Sequence, residues 1–186
     1  MNEAPLSEEQ QQAFRAAMER SRSFMGAAKV AAFNGWTLGV IAAVSILFGF
    51  MSFTGLVMGV LLGVVAWNEF RGRRMIRSLN PAGFRLLGRN QLALMGLIIL
   101  YCLVSIYRVG TGGTPDLADL EAVIGPTEDL VRQLSFLVYG LVILGTVIAQ
   151  GLNARYYFRR GALLEGYLRE TPAWIVELQR AGAGTD

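Results

Sequence analysis

The chain has 186 residues, 53% of them hydrophobic and 17% charged, with a mean hydropathy of +0.42 and a formal net charge of +3. This composition is too apolar for an ordinary soluble domain and indicates a membrane protein. The absence of histidine excludes imidazole ligands for haem or zinc, Ser–His catalysis and histidine pH switches. The single cysteine, Cys102, leaves no partner for an internal disulfide.

The first 29 residues predict a cytoplasmic amphipathic helix. Ser7-Glu8-Glu9-Gln10 fits a capping box, in which Ser7 is the N-cap and Gln10 reaches back to it. Apolar and small residues then recur at intervals of three and four from Phe14 to Ala28. Two interpretations remain open: the helix lies on the membrane surface, or it packs on the cytoplasmic loops of its own chain. The acidic residues before Lys29 argue against a signal peptide, so we expect a retained first span.

Two membrane spans follow, over residues 30–51 and 53–70. The uncharged, very short connection between them predicts an antiparallel hairpin. Both spans carry small residues four apart, a spacing that lets two helix backbones approach closely and is typical of a glycine zipper. The glycines predicted to pack there are Gly35, Gly39, Gly55, Gly59 and Gly63.

The loop over residues 71–89 is the most basic part of the chain and contains no acid. A juxtamembrane cluster of this kind attracts anionic lipid and also sets topology. Asn80-Pro81 predicts a helix start inside the loop. We expect the apolar side chains between the arginines to insert into the membrane interface: Met75, Ile76, Phe84, Leu86 and Leu87. The arginines are Arg71, Arg73, Arg74, Arg77, Arg85 and Arg89.

The second half of the chain predicts two more spans, over residues 91–107 and 134–152. The acidic external loop over 109–132 separates them and is predicted to hold a short helix that begins at Thr114-Pro115. Residues 153–186 predict cytoplasmic amphipathic helices, which begin with an aromatic belt beside a basic cluster at 155–160.

The distribution of basic residues predicts the orientation of the spans. Fifteen of the seventeen lie in the N-terminal segment, the 71–89 loop and the C-terminal segment, and the other two are Arg108 and Arg132. The positive-inside rule therefore places both termini in the cytoplasm. The predicted fold is all-α: a four-span bundle over residues 30–152 in the bacterial inner membrane, with cytoplasmic amphipathic helices over 1–29 and 153–186.

A polar layer is predicted near the cytoplasmic ends of the spans. Carboxamides occur there on every span, and Glu69 is the one acid close to a span, so we expect it to pair with Arg73. One interpretation is a shallow pocket for a lipid headgroup or small ligand; the favoured one is polar contacts that join the helices. The predicted layer consists of Asn34, Asn68, Glu69, Asn90, Gln91 and Gln150.

No catalytic, metal-binding or cofactor-binding pattern is found in the sequence, and no nucleic-acid motif accompanies the arginines. The external acids lack the spacing of a calcium loop. We therefore expect a non-catalytic accessory, scaffold or assembly protein that contacts anionic lipids and either a membrane protein partner or a second copy of itself. The first alternative is an oligomeric pore packed through the glycine faces of spans one and two. The second is a lipid enzyme that uses Glu69 or the external acids.

Overall fold

The computed structural model describes residues 6–49, 53–111 and 128–183, and within these ranges the chain is helical without strands. Five helices follow in chain order: α1 (Glu8–Gly49), α2 (Phe53–Arg77), α3 (Ala82–Gly110), α4 (Glu128–Glu170) and α5 (Ala173–Ala183). The first four are long and apolar enough to cross a membrane. The all-α class and the four apolar helices agree with the sequence prediction, while the predicted short helix at Thr114 lies outside the described residues.

Helices α1 and α4 are continuous across the boundaries that the sequence predicts between span and terminal segment. They contain 42 and 43 residues, and at 1.5 Å per residue each is about 63 Å long. A bilayer core is only about 30 Å thick. Each helix is therefore long enough to cross a membrane and continue for several turns beyond it.

Two predicted helix starts are confirmed by hydrogen bonds. The backbone N–H of Ser7 donates to Gln10 Oε1 at 3.0 Å, and the N–H of Gln10 donates to Ser7 Oγ at 3.3 Å, which is the reciprocal capping box. At α3 the N–H of Ala82 donates to Asn80 Oδ1 at 3.0 Å. Each side chain thus satisfies a backbone donor that has no partner within its helix.

Helix α2 ends in a Schellman motif around Leu79. The N–H of Asn80 donates to the carbonyl of Met75, and the N–H of Leu79 donates to that of Ile76. Leu79 has a φ of 55°, a left-handed conformation that usually favours glycine. Its side chain is fully buried, so packing offsets the backbone strain.

Helices α1 and α2 form the predicted hairpin, and glycines mark its closest approach. A Cβ added at Gly59 would lie 2.7 Å from Ile46 Cγ1 and 2.9 Å from the backbone nitrogen of Ile46. Near the turn, a Cβ at Gly55 would lie 3.2 Å from the Cα of Gly49. At these points the two backbones are separated by little more than van der Waals contact, which a larger residue would disturb.

The other predicted packing glycines differ among themselves. A Cβ at Gly35 would lie 3.1 Å from the ring of Phe70 and 3.2 Å from the Cβ of Glu69. A Cβ at Gly63 would reach only Ala42, at 4.0 Å, and one at Gly39 would meet nothing within 4 Å. Close packing therefore occurs near the turn, at Gly55 and Gly59, and at the other end of the hairpin, at Gly35, but not at every fourth residue.

Of the described residues, those up to Asn90 and those from Ala154 onward belong to one compact unit, and those between Gln91 and Asn153 form another. Within the first unit a helical head, defined as residues 8–31, 72–90 and 154–183, encloses a hydrophobic core. This core draws on all five helices and the α2–α3 turn, and its buried members are Ala17, Phe24, Ala27, Ala28, Ala31, Ile76, Leu79, Phe84, Leu87, Tyr157, Leu164, Tyr167, Ile175 and Val176.

The head core corrects the expectation that apolar side chains of the basic loop insert into the membrane interface. Ile76, Phe84 and Leu87 are fully buried against other helices of the head. The apolar stripe of α1 is buried in the same core, so of the two interpretations of the N-terminal helix, packing on the chain itself is the one found here. Burial among these helices removes their apolar side chains from water, which favours folding.

Polar contacts between α1, α4 and α5 bind the outer layer of the head. The rings of Phe24 and Tyr167 meet edge to face at 5.2 Å, and the guanidinium of Arg20 lies 5.8 Å from the Tyr167 ring centre. The Tyr167 hydroxyl donates to Gln179 Oε1 at 2.9 Å. Arg20 also pairs with Glu170 at 3.4 Å. The exposed Arg20–Glu170 pair adds little energy, whereas the rings of Phe24 and Tyr167 are buried in the head core.

The spans present large apolar side chains on their outer surfaces. In α1 and α2, Phe48 and Phe53 are 72% and 82% exposed, and in the second unit Tyr107 of α3 is 71% exposed. None of the most apolar window of α4 is buried. Soluble proteins rarely expose this much apolar surface to water. Such surface is typical of helices that face lipid or other apolar helices.

Candidate functional site

A buried polar cluster joins α2 to α3 where the hairpin meets the head. Glu69 is fully buried, and Asn90 is 4% exposed. The Asn90 amide nitrogen donates to Glu69 Oε1 at 2.7 Å and to the backbone carbonyl of Val65 at 3.0 Å. The Asn68 amide nitrogen donates in turn to Asn90 Oδ1 at 3.3 Å. One carboxamide therefore satisfies three groups of the neighbouring helix.

Helices α1 and α4 complete the cluster through Asn34 and Tyr157. The ring of Tyr157 is fully buried, and its hydroxyl lies beside the Glu69 carboxyl and the Asn34 carboxamide. Tyr157 follows the predicted fourth span, and burial raises the pKa of its phenol, with a further contribution from the negative charge of Glu69. The phenol therefore stays neutral well above physiological pH. Each of the four long helices contributes at least one polar side chain to the cluster.

The chemistry of this cluster is that of a helix junction. A buried carboxyl is costly unless hydrogen bonds compensate its lost hydration. Glu69 lies against a carboxamide and a phenol. These groups do not form the pair of nucleophile and general base that catalysis would require. Glu69 Oε1 accepts a hydrogen bond from the Asn90 carboxamide. This contact comes from another helix, whereas the predicted ion pair with Arg73 lies within α2. The cluster therefore fixes the relative register of the helices that enter the head.

The predicted polar layer is found in part. Asn34, Asn68, Glu69 and Asn90 come together in the first unit. Gln91 is buried and Gln150 half-buried, but both belong to the second unit. Sequence reasoning assigned Tyr157 to an interfacial aromatic belt and missed its place in the cluster. The helical spacing could have indicated this position. Tyr157 follows Gln150 by seven residues, about two helical turns, so the two side chains lie on the same face of the helix.

The arginines of the basic loop divide by exposure. Arg71, Arg74, Arg85 and Arg89 are exposed, whereas Arg73 and Arg77 are half-buried. The Arg74 guanidinium lies 5.9 Å from the ring centre of Trp67, which is 64% exposed. A cation over an exposed indole at the end of a span is the arrangement expected at a membrane–water interface.

The part of the chain that the structure describes contains no candidate cluster for a metal ion. Within 6–49, 53–111 and 128–183, no group of three acidic, cysteine or histidine side chains is close enough to hold a metal ion. Cys102 is buried in the second unit. The external acids Asp116, Asp119 and Glu121 lie outside the described residues.

Comparison with known proteins adds no relative from which function can be transferred. No protein-family model matches the chain, and neither a curated protein nor a solved structure matches it significantly.

Proposed function

We propose that this chain is a non-catalytic, multi-pass scaffold or assembly protein of the bacterial inner membrane, with both termini in the cytoplasm. Its helical head lies at the cytoplasmic surface, and its arginines contact anionic lipids there. In this proposal the buried polar cluster holds the head in a fixed position on the spans, and the head presents a surface to a protein partner.

The observation that supports this proposal is that most arginines of the 71–89 loop are exposed while apolar side chains of the same loop are buried in the core of the head. Apolar side chains of the 71–89 loop are buried, while Arg71, Arg74, Arg85 and Arg89 remain exposed beside the ends of α2 and α3. Each basic residue near an anionic leaflet contributes about 1 kcal/mol of attraction before screening. Four exposed arginines on a rigid support are therefore a lipid-contacting surface rather than part of the fold.

Exposed tryptophans provide the test. Trp36 and Trp67 are 68% and 64% exposed near the ends of α1 and α2, so brominated lipids that contact the protein will quench their fluorescence. We expect brominated phosphatidylglycerol to quench more than brominated phosphatidylcholine in mixed vesicles, with a preference that declines as salt rises. A variant with Gln at positions 71, 74, 85 and 89 should show a weaker preference for phosphatidylglycerol. Equal quenching of the wild type by both lipids would overturn the lipid role.

Support for a protein partner comes from a groove on the head. The groove encloses about 450 Å³ and lies mainly between α1 and α5. Its lining combines apolar side chains with two arginines: Phe14, Met18, Met25 and Leu178 beside Arg22 and Arg77. Methionine-lined grooves adapt to varied apolar partners. Site-specific photocrosslinking from position 18, identified by mass spectrometry, should give a defined protein adduct that a probe at exposed Arg85 does not give.

The oligomeric pore has less support than the scaffold. Gly35, Gly55 and Gly59 face the neighbouring helix of the same hairpin, so these faces are already occupied within one chain. A pore would have to use Gly39, which has open space around it. Ion flux through planar bilayers that changes in a Gly39→Leu variant would favour the pore over the scaffold.

A further inference from the structure

A second concave surface, the basic groove, lies between α1 and α2 at the level of the head. It encloses about 530 Å³ and is lined by Met25, Ala28, Lys29, Ala32, Arg73 and Arg77. Three of these six side chains are cationic and none is acidic. The other three form an apolar floor contributed by α1.

The charges of this groove favour an anion. Like charges held around one concavity repel each other, and the repulsion is relieved when an anion binds among them. Arg73 is half-buried, whereas Lys29 is exposed. The interaction of Arg73 with a bound anion is therefore screened less than that of the exposed cations. A phosphate group, with several acceptor oxygens, suits donors that converge from two helices.

The surroundings of the groove favour a phosphate that carries acyl chains. One helical turn toward the span, Trp36 of α1 and Phe70 of α2 meet edge to face at 5.7 Å. The exposed face of α1 on either side of Trp36 is apolar, with Phe33 and Val40 at 73% and 59% exposure. An anion in the groove is thus adjacent to aromatic rings and then to surface suited to hydrocarbon.

We infer that the basic groove is a binding site for the headgroup phosphate of a single anionic phospholipid, with its acyl chains lying along the Trp36–Phe70 side of the hairpin. This inference rests on the proposed function but is narrower, because it assigns one lipid to one site. The exposed arginines of the 71–89 loop then provide diffuse attraction, and Lys29 and Arg73 provide the defined contact.

The test is a titration of the full chain in dodecyl maltoside, with bound lipids counted by native mass spectrometry. The probes are dioleoyl phosphatidylglycerol, dioleoyl phosphatidylcholine and sn-glycerol 3-phosphate. We expect the first phosphatidylglycerol to bind at least fivefold more tightly than phosphatidylcholine. Glycerol phosphate, which lacks acyl chains, should bind at least tenfold more weakly; equally tight binding would identify a free-phosphate site and overturn the lipid assignment.

Matched variants separate this site from diffuse attraction. Lys29→Gln with Arg73→Gln should weaken the first phosphatidylglycerol at least fivefold, whereas Arg85→Gln with Arg89→Gln removes the same charge and should change it less than twofold. The conservative pair Lys29→Arg with Arg73→Lys should retain binding within twofold, which excludes loss through misfolding. Equal weakening by both glutamine pairs would overturn the single site and leave the proposed function intact. A wild type without lipid preference would contradict both.

Discussion

Exchanging the carboxyl and carboxamide groups between positions 69 and 90 is the sharpest perturbation of the polar cluster. Asn90→Asp replaces the donor that now lies 2.7 Å from Glu69 Oε1 with an acceptor, so two carboxyls face each other in a buried site. It also removes the bond to the Val65 carbonyl. Glu69→Gln in the same chain restores complementarity, because the new carboxamide at position 69 can donate to the new carboxyl at position 90.

The expected magnitudes follow from the contacts. A hydrogen bond to a charged group contributes about 1.5–3 kcal/mol and a neutral one about 1 kcal/mol, and a buried charge without its partner costs roughly 3–5 kcal/mol. We therefore expect Asn90→Asp to lower the free energy of unfolding by about 3–5 kcal/mol. The double variant should lose only about 1–2 kcal/mol, since the bond to Val65 is not recovered but the bond between positions 69 and 90 is.

The assay is unfolding in mixed micelles by SDS titration, followed by tryptophan fluorescence and far-UV circular dichroism. Asn80→Asp is the matched control, because Asn80 is an exposed helix cap where aspartate caps equally well. Its effect should stay below about 0.5 kcal/mol. A double variant no more stable than Asn90→Asp alone would show that positions 69 and 90 are not coupled, and would refute the structural role of the cluster.

Three further predictions test other parts of the fold. Gly59→Ala should destabilise the hairpin by about 1–3 kcal/mol in the same titration, because its Cβ would meet Ile46, whereas Gly39→Ala should be neutral or stabilising; equal effects would contradict the hairpin geometry. Leu79→Gly should be at least as stable as Leu79→Ala, since glycine relieves the positive φ at equal loss of packing; a clear advantage for alanine would exclude that strain. The raised pKa of Tyr157 predicts stability that is present below pH about 10 and lost as pH rises above it, because the unfolded phenol ionises first and the folded one resists ionisation. Tyr157→Phe should remove this alkaline loss, and an unchanged pH profile would place the phenol elsewhere.

Much of the fold could be predicted because the bilayer imposes simple rules on sequence. Span length, turn chemistry and cap residues are local properties, and the capping box at Ser7 and the helix start at Asn80 appear where the sequence puts them. The continuity of α1 and α4 was harder to predict, since a change from apolar to amphipathic sequence does not require a break in the helix. Periodicity alone does not distinguish the two cases.

The head shows why its packing could not be predicted. The same amphipathic stripe is suited to a lipid interface or to a protein core, and the choice depends on long-range contacts. The tight glycines of the head illustrate this: a Cβ at Gly83 would lie 2.8 Å from Met75, and one at Gly88 would lie 2.6 Å from Phe158. Neither glycine belongs to a repeat with four-residue spacing, so sequence analysis did not select them.

The sequence predicted which residues form the candidate site more accurately than it predicted the contacts between them. The position of carboxamides near span ends identified Asn34, Asn68 and Asn90, because polar groups in a membrane bundle need partners. Helical spacing predicted Arg73 as a partner of Glu69, and it did not reveal the hydrogen bond that Glu69 Oε1 accepts from Asn90. The spacing of residues along one helix predicts contacts within that helix only, and it gives no information about side chains that approach from another helix.

The central claim is that the helical head and its arginines lie on the cytoplasmic side of the membrane. Cysteine labelling tests this claim most directly. In a Cys102→Ser background, single cysteines replace Ser78, exposed on the head, and Thr111, exposed at the end of α3. A membrane-impermeant maleimide added to bacterial cells with a permeabilised outer membrane should label Thr111→Cys at once and Ser78→Cys only after lysis. Labelling of Ser78→Cys at the same rate before lysis would place the head outside and contradict the account.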